Sequence, residues 1–140
     1  MAEAILKSRW NILGRGALAV RSMGISGIEG QPASEPARQL CQEHGLNIES
    51  HRSQALQPDG LLAADIIFVM DPGQLSHLRL LMPALRDKIF MLGAWPGKPT
   101  RNSTIRDPIG RPMRVYRSVY NAIDQHIERI MPSLLELAGK

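Results

Sequence analysis

The 140-residue sequence predicts an α/β fold, a parallel sheet with helices on both faces. Two observations carry that prediction. First, Asp65-Ile66-Ile67-Phe68-Val69-Met70-Asp71 and Lys88-Ile89-Phe90-Met91-Leu92-Gly93 are continuous apolar runs with charged ends or a glycine stop. They read as strands covered on both faces. Second, apolar residues recur at helical spacing before, between and after these runs. The balance of 44% apolar and 21% charged residues is that of an ordinary globular chain. No apolar run approaches the roughly 18 residues that span a bilayer.

Residues 1–13 read as a helix with Leu6, Trp10 and Leu13 on one face. Ala17-Leu18-Ala19-Val20 reads as a short buried strand turning at Arg21-Ser22-Met23-Gly24. Gly24, Gly27 and Gly30 follow, without the strand-to-helix spacing of a nucleotide-binding fingerprint. Ser34 and Pro36 open a second helix, Ala37, Leu40, Cys41 and His44 share its apolar stripe, and Gly45 stops it. A polar segment at 47–54 and a short helical patch at 61–63 lead into the first long apolar run. Pro72 then opens a helix with Leu75, Leu78 and Met82 inward, stopped by Pro83. After the second run a polar loop continues to Arg106. Tyr116, Tyr120, Ile123, Ile127, Ile130 and Leu134 step by four and three along a long final helix, whose end Pro132 is expected to kink or shorten.

The chemistry concentrates in Thr104-Ile105-Arg106-Asp107-Pro108-Ile109-Gly110. Pro108 biases Asp107 toward extended backbone and Gly110 permits a sharp turn, so the carboxylate sits on a short, stiff loop. That is a setting for a positioned general acid, the plain alternative being an ordinary Asp-Pro turn. Ligands of α/β folds bind beyond the carboxyl ends of the strands, where Ser22, Asp71, Gly93 and the Asp107 loop would meet. Cys41, the single cysteine, falls in mid-helix on an apolar stripe and reads as a packed core thiol; a nucleophile wants an electropositive helix N-terminus. One cysteine excludes an internal disulfide framework and suits a reducing cytoplasm. No pair among the four histidines has metal-ligand spacing. The formal charge is +4, with cations scattered at Arg15, Arg21, Arg38, Arg52, Arg79, Arg101 and Arg114. This favours a mildly basic surface around an anion site over nucleic-acid binding.

Taken together, Met1-Ala2-Glu3-Ala4, Ser22-Met23-Gly24, Gly30-Gln31-Pro32-Ala33-Ser34, His44-Gly45, His51-Arg52, Ala64-Asp65-Ile66-Ile67-Phe68-Val69-Met70 and Asp107-Pro108-Ile109-Gly110 resemble, in order and spacing, the low-molecular-weight protein tyrosine phosphatases. The resemblance covers essentially all 140 residues as one domain. It implies a four-stranded parallel sheet in the order 2-1-3-4. A Cys-x5-Arg-Ser loop joins the family's first strand to its first helix. The cysteine thiolate attacks phosphorus, the loop amides and arginine hold the phosphate oxygens, and an Asp-Pro aspartate protonates the leaving oxygen.

By position Asp107 matches that general acid, and Ser22 and His51 match residues that support the phosphate loop. Ile109 stands where many members carry an aromatic residue flanking the substrate ring, which leaves phosphoarginine or a smaller phosphomonoester open beside phosphotyrosine. The implied substrate is a phosphorylated protein or small phosphomonoester, with no cofactor, metal, nucleic acid or membrane, in the cytoplasm.

Against the family pattern, the sixth residue after Cys41 is Asn47 rather than arginine. In the family Met-Ala-Glu-Ala follows directly after the loop's Arg-Ser-Pro, and this sequence begins at that Met, so the chain is expected to lack the first strand, the nucleophilic cysteine and the clamping arginine, and to be inactive as it stands. Its sheet is expected to carry unpaired edges that invite instability, self-association or a strand-completing partner. A non-catalytic remnant that binds phosphorylated ligands or a partner is the alternative. An arsenate reductase on the same fold would need further cysteines.

Overall fold

The computed structural model describes residues 1–13 and 16–139, so Arg15 lies outside the described residues. The elements run α1 (Ala2–Ile12), α2 (Glu35–Glu43), α3 (Pro58–Ala63), β1 (Ile67–Val69), α4 (Pro72–Leu81), a 3-10 stretch (Pro83–Lys88), β2 (Ile89–Met91) and α5 (Met113–Ala138). The strands pair in parallel, with Ile67 opposite Ile89, Phe68 opposite Phe90 and Val69 opposite Met91. Parallel neighbours need a crossover, and α4 with the 3-10 stretch supplies it. None of the described helices is long and apolar enough to cross a membrane.

Two cores form. The larger joins α1, α2 and α5 through Ile5, Trp10, Leu40, Cys41, Tyr120 and Ile127. The smaller holds Leu61, Val69, Leu78, Leu85, Ile89 and Met91. The expected stripe of α5 is buried throughout, from Tyr116 to Leu134. Ile127 and Ile130 are almost wholly covered, each worth about 1.5–3 kcal/mol of burial. Tyr116 Oη lies 3.1 Å from Ser34 Oγ, and His44 stacks on Tyr120 with ring centroids 4.1 Å apart.

Several expectations need correction. Ala17-Leu18-Ala19-Val20 forms no strand: Ala17 and Ala19 are exposed, and only Leu18 and Val20 are half-buried. Strand structure needs a neighbour to bond, and among the described residues this run has none. The sheet of the described residues has two strands, where three were expected once the first of the family's four is set aside. Both strands are three residues long, and Ile67 and Phe68 are only half-buried rather than covered on both faces.

The reason lies at the edge of β1. Leu92 N–H donates to Val69 C=O at 2.9 Å, so the polar groups of Val69 point toward β2. Alternation along a parallel strand then aims the N–H and C=O of Phe68 at the opposite edge. Among the described residues that edge carries no strand.

The helices hold smaller surprises. On α1 the buried residues are Ile5 and Trp10, while Leu13 is exposed beyond the helix end. Ser34 precedes α2, but its hydroxyl faces Tyr116 instead of capping the backbone. Asp71, by contrast, caps α4 by accepting from Gln74 N–H. The 3-10 stretch after Pro83 was not foreseen. Pro132 does not shorten α5, which runs on to Ala138. It lies on the exposed face, where the carbonyl it leaves without a donor can be solvated.

Candidate functional site

The Asp107 loop hangs from the carboxyl ends of both strands. Ile105 is buried, and its N–H donates to Met70 C=O at 2.8 Å, just beyond β1. Ser103 is buried against Gly93, just beyond β2, and its Oγ accepts from Thr100 N–H at 2.9 Å. A Cβ on Gly93 would fall 1.9 Å from the Ser103 carbonyl oxygen, so this approach requires glycine.

From these two anchors the chain projects outward, and Asp107 is exposed. Its Oδ1 accepts from Ile109 N–H at 3.0 Å, the short-range bond that makes Asp-Pro segments stiff. Arg111 N–H closes the turn on Pro108 C=O at 2.9 Å, with Gly110 at φ +72°. Ile109 is 64% exposed. Asp71, Gly93 and the anchors of the Asp107 loop thus lie beyond the carboxyl ends of the strands as expected, whereas Ser22, expected with them, lies instead on Glu3 of α1.

The turn beneath this loop is clamped from α5. Arg129 donates to Leu92 C=O at 2.9 Å and to Trp95 C=O at 2.6 Å, and its Nε lies 3.3 Å from His126 Nδ1. Burial and the Arg129 charge both push the His126 pKa below its ordinary value. A group with a lowered folded pKa binds its proton more readily in the unfolded chain. Stability linked to His126 is thus complete above about pH 6.5, the unperturbed histidine value, and declines as pH falls toward the folded value. The thermal midpoint should drop over that acidic window and do so less in His126→Gln. Identical pH profiles for the two proteins would disprove the linkage.

Ser22 and His51 are brought together by a residue that the sequence reading gave no role. Glu3, in the first turn of α1, accepts from Ser22 Oγ at 2.5 Å and from Lys7 Nζ at 2.7 Å, with His51 Nδ1 3.9 Å away. Burial works to raise the Glu3 pKa, but hydrogen bonds from Lys7 and Ser22 and the charges of Lys7 and His51 outweigh it and hold it low. An acidic residue at a helix N-terminus is also favoured by the macrodipole, and that was the available signal.

Glu3, Ser22 and His51 line a cavity of about 760 Å³ together with Met1, Gln31 and Ile48. A neighbouring hollow of about 470 Å³ adds Arg21 and Arg52. Asp107 and Ile109 line neither. Cys41 is fully buried in α2, and burial pushes its thiol pKa up, the reverse of what a thiolate nucleophile needs. Among the described residues no cluster of His, Cys, Asp and Glu could hold a metal ion.

Comparison with known proteins adds a second line of observation. The family described as low molecular weight phosphotyrosine protein phosphatase matches residues 1–138. A low-molecular-weight protein-tyrosine-phosphatase, Ptp, of Acinetobacter johnsonii is 38% identical over 99 residues, 70% of this chain and 66% of that protein. A probable low-molecular-weight protein-tyrosine-phosphatase, EpsP, of Ralstonia nicotianae is 28% identical over 137 residues, 98% of this chain and 88% of its own length. Among solved structures, the YwlE arginine phosphatase of Geobacillus stearothermophilus superposes with a TM-score of 0.85 at 27% identity, covering 96% of this chain and 83% of that one.

Proposed function

The chain belongs to the low-molecular-weight protein tyrosine phosphatase family, and on that premise we propose that it serves phosphomonoester hydrolysis on a phosphorylated protein, with Asp107 as the general acid. The observation that carries the reading is the Asp107 loop, anchored to the ends of both strands and projecting its carboxyl group into solvent. A carboxylic acid there can protonate the departing oxygen of a phosphorylated side chain. Ser22 and His51, linked through Glu3, support the phosphate-holding loop of the same reading. Ile109 offers the substrate apolar contact without ring stacking, so phosphoarginine, whose departing nitrogen would take the Asp107 proton as its P–N bond breaks, stands as a substrate class beside phosphotyrosine.

The nucleophile belongs to a strand-and-loop segment that pairs with the open edge of β1. Two features support this: Cys41 is buried in the larger core, and the Phe68 backbone points toward an edge that carries no strand among the described residues. Under this reading the 140 residues alone do not turn over.

The test compares the recombinant chain with the protein isolated from its native source, using an aryl phosphate. The native protein should show vanadate-sensitive hydrolysis that survives Cys41→Ser at its chromosomal locus, and the recombinant chain should show none. Hydrolysis by the recombinant chain that Cys41→Ser abolishes would make Cys41 the nucleophile and overturn the reading. Absence of vanadate-sensitive hydrolysis from the native protein would overturn it equally.

A further inference from the structure

The whole formal charge of this protein resides in the loop that carries Asp107 and the first turn of the helix after it. Between residues 98 and 114 lie Lys98, Arg101, Arg106, Arg111 and Arg114, with Asp107 the single acid, a net of +4. The chain as a whole is also +4, so its remaining charges cancel. All five cations are exposed. None is in an ion pair with any described residue, whereas Lys7, Arg9, Arg38 and Arg117 all are. Asp71, the carboxylate at the same sheet edge, is engaged in capping α4.

Helix α5 adds to the field instead of offsetting it. Its first turn contains Arg114 and no acidic residue, and no side chain caps it. That is the reverse of the charge order a helix N-terminus favours, so these cations do not serve the helix.

We propose that this loop is a docking surface for acidic polypeptide, selecting phosphorylated sites flanked by Asp and Glu residues. The inference rests on the phosphatase reading for the phosphoresidue and on the cation cluster for its flanks. Four unpaired cations on a loop fixed at Gly93 and Met70, with Arg114 in the adjoining first turn of α5, form a preorganised positive field, which raises encounter rates and favours complementary partners. Nucleic acid fits less well. The nearby aromatic, Trp95, is half-buried against Phe68 and Phe90, which leaves no free ring for base stacking.

The test measures binding to the purified chain by fluorescence anisotropy, so it needs no turnover. The probes are two labelled phosphotyrosine peptides, one with Glu and Asp flanks and one with Gln and Asn flanks, and a duplex DNA of the same net charge as the acidic peptide. The acidic peptide should bind about tenfold tighter than the neutral one at low salt, with the gap closing as salt screens it. Arg101→Gln/Arg111→Gln/Arg114→Gln should remove the preference while the circular dichroism spectrum and thermal midpoint stay those of the native chain.

Equal affinity for the two peptides overturns the proposal and leaves the phosphatase reading standing if the native protein hydrolyses aryl phosphate. Tighter binding of the duplex than of the acidic peptide overturns it in favour of nucleic acid. A charge-dependent preference for acidic flanks, combined with no hydrolysis by the native protein, upholds the docking surface and rejects the phosphatase reading.

Discussion

Gly93→Ala should lower the thermal midpoint by roughly 6–12 °C and release the Asp107 loop from the sheet. The added methyl would sit 1.9 Å from the Ser103 carbonyl oxygen and 2.7 Å from its carbonyl carbon. Both atoms are backbone, so no rotamer change relieves the clash. Either Ser103 leaves its buried position or the turn after β2 moves, and Arg129 holds that turn through Leu92 and Trp95. Overpacking of this kind costs about 3 kcal/mol or more, which for a chain of this size gives the stated shift.

Gly97→Ala is the control. It lies in the same segment, but its new methyl would meet only the Ala94 carbonyl oxygen, at 3.3 Å. Its midpoint should fall much less. A Gly93→Ala protein as stable as the parent would show that Ser103 is not fixed against β2, and the account of how Asp107 is positioned would fail with it.

Asp107→Asn should reduce hydrolysis of phenyl phosphate by the native-source enzyme about 10²–10⁴-fold, the usual contribution of a general acid. Asparagine keeps an oxygen that can accept from Ile109 N–H, the bond Asp107 Oδ1 now makes at 3.0 Å, so the turn persists. What is lost is the proton. p-Nitrophenyl phosphate has a leaving group that departs without protonation, and its hydrolysis should be far less affected. The comparison therefore separates proton delivery from loop geometry. Equal losses on both substrates would remove Asp107 from the acid role.

The long-period features of this protein could be read from sequence because they are local. The α5 stripe from Tyr116 to Leu134 and the Asp-Pro turn each follow from residues within a few positions of one another. The Ala17-Leu18-Ala19-Val20 run failed as a strand because a strand is a property of pairs. Its composition suits a strand, but among the described residues the backbone finds no ladder. The same non-local dependence trimmed both central strands to three residues.

At the site, Ser22 and His51 were singled out by resemblance alone. Glu3, which joins them, is not legible locally because it reaches nineteen residues along the chain to Ser22 and, in the same direction, past the whole of α2 to His51. Gly93 was placed at the correct edge, yet its close approach to Ser103 could not be foreseen without coordinates.

The division of the interior into two cores has a consequence for how the molecule opens. Six buried side chains make up the smaller one, whereas the larger is built around 26-residue α5. Cooperative openings follow buried contact, so the two halves should release their amides to solvent exchange on separate schedules. The α4 crossover, with Leu80 and Leu81 exposed, should open first while the α1–α2–α5 body stays shut. Val69 and Met91 sit in the earlier-opening half, although the strands that carry them hold up the Asp107 loop. Ile105, which anchors that loop to Met70, nevertheless packs with Leu92 on the larger core, so the loop should stay held while the α4 side exchanges its amides.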